Sequence, residues 1–144
     1  MLAPVADIAF SLDASTLVVV ATCITTLLGM FLLFVSKRDS VRALAWWGAA
    51  YIIGGFSVAL WSYSGASEAA MSSSLPHALL FIACGMMWSA ARLFHGRGVS
   101  WIAMFAGGAV WFLATKLDSF ADAPTDRIIL SALIVATYTF LTAL

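Results

Sequence analysis

Long apolar runs separated by short polar stretches dominate the chain. The runs cover residues 15–35, 43–61, 75–94, 99–117 and 128–144. A hydrocarbon core of about 30 Å takes roughly 20 apolar residues in a helix, and each run is close to that length. The pattern therefore predicts an all-α integral membrane helical bundle with about five transmembrane helices. No linker or composition shift divides residues 1–144, so a single transmembrane domain is expected.

Composition supports a membrane location over the alternative of a soluble all-helical core. Hydrophobic residues make up 63% of the chain and charged residues 10%, and the mean hydropathy is +1.03. A soluble domain usually has about a quarter charged residues and could not hide this much apolar surface. The formal net charge is zero, so no nucleic-acid partner is expected. The lipid bilayer is the predicted partner, with a homodimer or a larger membrane complex as further possibilities.

Charged residues fall on alternate sides of the predicted spans. One side carries Lys37, Arg38, Arg42, Arg92 and Arg97, with Asp39 as its only acid. The other side carries Asp7, Asp13, Glu68, Asp118, Asp122 and Asp126, with only Lys116 and Arg127 as bases. The positive-inside rule places the first group in the cytoplasm. The N-terminus is then outside, which means periplasmic for a protein of the bacterial inner membrane. Because the first 13 residues hold no Lys or Arg, the start is not typical of a cleaved signal peptide.

The third run carries a candidate ligand-binding stripe. Its members are His77, Phe81, Cys84, Trp88 and Arg92, spaced four, three, four and four residues apart. These spacings place all five side chains on one helical face, and ionisable groups within a span are functional candidates. In the alternative interpretation, interfacial water solvates His77, which follows Pro76, and Arg92 extends to the headgroups at the other end of the span.

Metal and haem sites are weaker candidates. Cys23, Cys84 and His77 could supply two soft ligands and an imidazole, but no CxxC, HxxxH or HExxH spacing is present. A buried free cysteine is usually a small hydrophobic residue. His77 and His95 belong near opposite faces of the membrane, so they cannot share one haem. We therefore expect no metal and no cofactor.

Aromatic and small residues suggest further contacts. On the second run, Trp47 and Tyr51 share a face with Gly54, Val58 and Trp61, and this face could stack on a flat ligand. The alternative is that tryptophans near span ends, including Trp101 and Trp111, anchor the helix at the headgroups. Small residues at close spacing favour helix contacts. They are Gly48, Gly54, Gly55, Gly85, Ser89, Ala103, Gly107, Gly108, Ala132 and Ala136.

Catalytic motifs are absent from these 144 residues. There are no paired carboxylates, no nucleophile elbow and no Gly-rich phosphate loop. No span carries an internal Asp, Glu or Lys away from its ends, which disfavours an ion-coupled transporter.

Several segments carry a resemblance to a known family. They are RALAWWGAAYIIGGFSVAL at 42–60, the lead formed by Leu12, Asp13, Thr16 and Leu17, ARLF followed by Gly96 and Arg97, and RIIL at 127–130. Together they resemble the N-terminal membrane region of bacterial diguanylate cyclases of the GGDEF type. The resemblance implies a multi-span sensor or anchor ahead of a cytoplasmic GTP-condensing domain. This sequence ends at Leu144 without a GGDEF signature, so no catalytic residue is carried over. We expect either a fragment of a longer protein, which the apolar end without a polar tail favours, or a stand-alone relative of the membrane region.

These observations lead to two functional hypotheses. The first is a membrane-embedded sensory or anchoring domain of a bacterial signalling protein, in which a ligand would shift a bundle with two states. The second is a small accessory subunit of a respiratory or photosynthetic membrane complex, with a packing or a lipid- or pigment-binding role.

Overall fold

The chain folds into a bundle of apolar helices. A computed structural model describes residues 14–64, 75–117, 120 and 123–144, and all structural statements below concern these residues. Their helices are α1 (Ala14–Asp39), α2 (Arg42–Ser64), α3 (Leu75–Phe94), α4 (Trp101–Ala114) and α5 (Pro124–Ala143). The prediction of an all-α helical bundle is confirmed.

The predicted runs match the helices with small shifts at the ends. The run 75–94 coincides with α3, whereas α1 continues past residue 35 so that Lys37 and Arg38 lie in its last turn. Cations there interact favourably with the negative end of the helix dipole. Helix α5 begins earlier than predicted, with Pro124 in its first turn. Proline suits this position because the first helical N–H groups have no partner to lose.

Two sharp turns end α1 and α3. Ser40 has a φ of 55°, and the Ser36 hydroxyl donates a 2.9 Å hydrogen bond to the Val41 carbonyl. After α3, Gly96 has a φ of 72°, its N–H donates to the Leu93 carbonyl, and the Arg97 N–H donates to the Arg92 carbonyl. That pair of bonds is a Schellman motif, which favours glycine at the left-handed residue.

Successive helices run antiparallel and α3 is central. Helix α3 packs against α2, α4 and α5, whereas α1 packs mainly against α2. Ser57 contacts Pro76 while Trp47 contacts Met87, so α2 and α3 run in opposite directions. We name the end of the bundle where α3 begins the His77 end, and the end where α3 stops the Arg97 end. The basic residues of the α1–α2 and α3–α4 turns gather at the Arg97 end.

The outer surface of the bundle is apolar. Leu27, Phe31 and Phe34 on α1 are exposed by 66%, 62% and 66%. Exposed apolar patches on soluble monomers rarely exceed a few hundred Å². Among the described helices, α1, α2, α3 and α5 are long and apolar enough to cross a membrane. This arrangement supports a membrane protein whose outward apolar side chains contact lipid.

Helix α4 is shorter than the predicted span. Only the 14 residues Trp101–Ala114 of the run 99–117 are helical. Such a helix is about 21 Å long, less than the roughly 30 Å of a hydrocarbon core. The run is shortened at both ends, because Ser100 adopts an extended conformation and residues 115 and 116 form a turn.

Candidate functional site

An aromatic cluster joins α3, α4 and α5. Phe81, Trp111, Ile134 and Tyr138 form its buried centre, and Phe81 and Trp111 are exposed by 0% and 1%. The Phe81 and Trp111 rings meet edge to face with centroids 5.3 Å apart, a favoured geometry for aromatic pairs. Each of the three helices contributes a large side chain, so the cluster fixes their relative positions.

The Tyr138 hydroxyl contacts the backbone of α4 at two points. It donates to the Ala103 carbonyl at 2.5 Å and accepts from the Gly107 N–H at 3.0 Å. In a regular α-helix these two groups, four residues apart, pair with each other. The hydroxyl therefore contacts both the donor and the acceptor of one position in the hydrogen-bond ladder of α4.

Two glycines bring the α4 backbone close to its neighbours. A Cβ atom placed on Gly107 would lie 2.7 Å from the Tyr138 ring, and one placed on Gly85 would lie 2.8 Å from the Met104 Cα. Glycine is therefore required at both positions for this packing. Gly85, Gly107 and Gly108 were predicted to mark helix contacts, and all three are buried.

A cavity of about 450 Å³, the His77 cavity, lies near the His77 end between α2, α3 and α5. Its lining residues are Ser57, Val58, Trp61, Pro76, His77, Leu80, Phe81, Ser131, Ala132 and Val135. Its volume falls in the range of about 300–1,000 Å³ that is typical of small-molecule sites. Most of the lining is apolar, and the polar side chains are one histidine and two serines.

His77 is held by an aromatic stack. Its imidazole lies 4.7 Å from the Trp111 ring, centroid to centroid, with 17° between the planes. Its Nδ1 atom is buried and makes no hydrogen bond in the described part of the chain. The charge of Arg127, one turn before Ser131 on α5, acts electrostatically on this imidazole. The ring thus has a fixed plane and an unused polar atom.

The two serines of the His77 cavity already donate hydrogen bonds. The Ser57 hydroxyl donates to the Pro76 carbonyl at 2.6 Å, and the Ser131 hydroxyl donates to the Ile128 carbonyl at 2.9 Å. A bound molecule could therefore donate to these serine oxygens. The ring N–H donors of the lining are the imidazole of His77 and the indole of Trp61.

A second cavity of about 240 Å³ lies between α3 and α5, nearer the Arg97 end. It is lined by Cys84, Met87, Tyr138, Thr139, Thr142 and Ala143. The predicted stripe on α3 is thus divided: His77 and Phe81 line the first cavity, and Cys84 lines the second.

The remaining stripe residues lie toward the Arg97 end. Trp88 packs against the aromatic cluster, and the Arg92 guanidinium carbon lies 5.0 Å from the centroid of the Trp88 ring. The Arg92 Nε donates to the Gly98 carbonyl at 3.1 Å. This geometry fits a structural role for Arg92 in holding the α3–α4 turn.

The predicted stacking face of α2 is also divided. Trp47 donates its indole N–H to the Met87 carbonyl at 3.2 Å and stacks on Phe94. Trp61 and Val58 line the His77 cavity, but Trp47 and Tyr51 are not among its lining residues. The α2 contribution to this cavity therefore comes from the last turns of the helix.

Several sequence-based interpretations change in the structure. Trp111 was interpreted as a headgroup anchor, but at 1% exposure it is a core residue. Ala132 and Ala136 were interpreted as helix-contact residues, but both are exposed, because α5 presents other positions to α3. Cys23 is exposed on α1, and no group of three or more potential metal ligands comes together in the described residues.

Tyr138 and Gly29 were missed by the sequence analysis. Gly29 packs against Gly48 of α2, and a Cβ added to either would lie 2.7 Å from the carbonyl oxygen of the other. The sequence did hold an indication for Gly29, because it is the one glycine of the run 15–35 and could have been expected to mark a helix contact. Nothing in the sequence pairs Tyr138 with Ala103, which is 35 residues away.

The chain matches no protein-family model, no curated protein and no solved structure. The resemblance to the membrane region of diguanylate cyclases stays a sequence-based prediction.

Proposed function

We propose that this chain is a membrane-embedded sensory or anchoring domain of a bacterial signalling protein, in which the His77 cavity is the site that responds to a ligand. The observation that carries the proposal is the cavity itself, because residues of three helices line it. A ligand that fits one arrangement of α2, α3 and α5 better than another would shift the bundle between them.

The proposed orientation follows from charge. Lys37, Arg38 and Arg97 gather at one end of the bundle, and the positive-inside rule favours the cytoplasm for that end. The His77 cavity would then lie toward the periplasm. Reporter fusions test this in a bacterial inner membrane: a periplasm-active phosphatase fused after Gly98 should be inactive, and a cytoplasm-active fluorescent protein fused there should fluoresce. The reverse pattern would contradict the orientation.

The sensory proposal is tested by joining the chain to a diguanylate cyclase catalytic domain in cells without other cyclases. Ala132→Trp fills the cavity, whereas Ala136→Trp adds the same bulk one turn later, to another exposed residue outside the lining. We expect cyclic dinucleotide output to change with the first substitution and to match the parent with the second. Equal output from all three fusions, at equal membrane abundance, would contradict a sensory role.

An accessory subunit of a larger membrane complex is the second candidate. It is supported by α1, which packs mainly on α2 and of whose most apolar 18-residue stretch only 6% is buried within the bundle. Such a helix has a broad face available to a partner. Purification in mild detergent distinguishes the candidates, because a partner in fixed stoichiometry favours the subunit.

A further inference from the structure

We propose that the His77 cavity binds a neutral, membrane-soluble amphiphile whose headgroup is a planar ring with carbonyl oxygens, the chemistry of a quinone. This inference deepens the proposed function by naming the ligand class of the same site. It is carried by the access route, the polarity and the ring geometry of the cavity.

The first argument is access from the bilayer. Helices α2 and α5 both pack on α3, and no comparably extensive contact joins α2 to α5 among the described residues, so the cavity lies in the groove between them. Trp61, on the rim of this groove, is 59% exposed. On a membrane protein such a groove faces lipid, and a ligand dissolved in the bilayer reaches it without crossing water.

The second argument is the distribution of polarity. Ser57, His77 and Ser131 supply the polar side chains, and Leu80, Phe81 and Val135 supply apolar surface beside them. None of the lining residues carries a formal charge when His77 is neutral, and Arg127, whose charge acts on the imidazole, lies outside the lining. A few polar groups within an apolar wall set the orientation of a ligand with one polar end. Burial of an unpaired ionic headgroup in such a wall is unfavourable, so the lining favours a neutral headgroup.

The third argument is the geometry of His77. Its ring plane is set by the Trp111 stack, and its Nδ1 atom has no partner. The terminal torsion of histidine is broad and roughly two-fold, so a half-turn keeps the ring plane and exchanges its edges. An imidazole N–H can then donate to a ligand carbonyl. Aromatic rings in the wall, including Trp61 and Phe81, suit a planar headgroup by offset or edge-to-face contact.

The test measures binding of a decyl-substituted benzoquinone to the whole chain in nanodiscs of neutral phosphatidylcholine. A photoreactive azido derivative is crosslinked, the labelled peptides are mapped, and unlabelled decyl-benzoquinone competes to give an apparent affinity. We expect label on the α2, α3 and α5 segments that line the cavity. Label spread over lipid-facing residues of α1 would overturn the proposal.

Paired variants define the headgroup contact. His77→Leu should weaken the apparent affinity about three- to tenfold, as expected for loss of one hydrogen bond. His95→Leu, at the exposed histidine of the Arg97 end, should leave affinity unchanged. His77→Asn, which keeps a polar atom near the position of Nδ1, should restore most of the loss. If Leu and Asn at position 77 bind equally to the parent, the proposal is wrong.

Steric variants define the position without touching His77. Ala132→Trp should weaken binding more than about tenfold because the added indole fills the cavity, and Ala136→Trp should not. Each variant is compared with the parent by size-exclusion elution in detergent, so a misfolded variant is recognised. Equal affinity for both folded tryptophan variants would overturn the proposal.

A competition with decanoate separates the quinone class from other amphiphiles. If decanoate displaces the label at the same concentration as decyl-benzoquinone, the proposal of a ring headgroup is wrong. The proposed sensory role would not be affected by that result. Conversely, quinone binding at the cavity without a change of output in the Ala132→Trp fusion would reject the sensory role and keep the ligand class.

Discussion

The contact between α1 and α2 and the contacts among α3, α4 and α5 are built on different principles. Between α1 and α2, Gly29 and Gly48 bring the two backbones together, and Gly55 lies against Thr25. We name this contact the glycine seam. Between α3, α4 and α5, large aromatic side chains fill the space in the aromatic cluster.

The difference shows how packing replaces the hydrophobic effect in lipid. Apolar side chains gain little by leaving lipid for protein, so helices associate through dispersion contacts and hydrogen bonds. The glycine seam gains contact by close approach of backbones, and the threonine hydroxyls beside it donate to carbonyls of their own helix. The aromatic cluster gains contact by interlocking rings and by the Tyr138 hydroxyl. Because α1 packs mainly on α2, we expect that it can shift without disturbing α3, whereas the interlocked side chains of the aromatic cluster should hold α3, α4 and α5 together.

The largest expected effect is that of Gly85→Leu. A Cβ there meets the Met104 backbone, with the Cα 2.8 Å away, so α4 has to separate from α3. Overpacking typically costs about 1–3 kcal/mol and sometimes more, and we expect the upper end because backbone atoms cannot rotate away. Thermal unfolding in detergent measures the loss. Gly98→Leu is the control, since nothing lies within 4 Å of its added Cβ, and equal loss in both would contradict the close-approach argument.

Phe81→Ala should have the next largest effect. Phe81 is 0% exposed and contacts Trp111, so truncation leaves a void within the aromatic cluster. In soluble cores this change costs about 3–5 kcal/mol. In a membrane, lipid solvates the phenylalanine ring when the helices separate, so the parent gains little by burying it, and we expect the substitution to cost about 2 kcal/mol. Phe34→Ala, at a residue exposed by 66% on α1, is the matched control. A loss at position 34 as large as that at 81 would remove the distinction between core and lipid-facing rings.

Gly29→Val should detach α1 and leave the aromatic cluster intact. The added side chain collides with the Gly48 carbonyl oxygen and with Ile52. We expect a loss of about 1–2 kcal/mol, because α1 can shift as a unit without moving α3. Disulfide crosslinking between engineered cysteines on α1 and α2 should fall, while crosslinking between α3 and α5 should not. A fall in both would show that the two contacts are coupled.

Tyr138→Phe should have the smallest effect. It removes the hydroxyl that bridges Ala103 and Gly107, but these two backbone groups can then pair with each other. A loss near 0.6 kcal/mol is expected, the average for side-chain hydrogen bonds in a membrane protein. Tyr51→Phe serves as the control, because no hydrogen bond of its hydroxyl occurs among the described residues. Thermal unfolding of the two variants makes the comparison, and a loss above about 2 kcal/mol at 138 would show that α4 depends on the bridge.

Much of the fold could be predicted from the sequence because lipid imposes length and composition on each helix. The run 75–94 coincides with α3. Within the predicted stripe, Trp88 packs against the aromatic cluster that contains Phe81, and Arg92 lies over the Trp88 ring. Composition could not predict that Trp111 is buried, because a tryptophan near a helix end suits both an anchor and a core position. The cavity was also hidden, since it depends on where three separate helices leave a gap.

Helix α4 has a consequence for the surrounding bilayer. At about 21 Å it is some 9 Å shorter than an average hydrocarbon core, while its neighbours α3 and α5 have 20 residues each, about 30 Å. Hydrophobic mismatch of this kind costs fractions of a kcal/mol per Å and is relieved when the membrane thins locally. The bilayer beside α4 is therefore expected to be thinner than the bilayer beside α3 and α5, so the lipid shell around the protein has an uneven thickness.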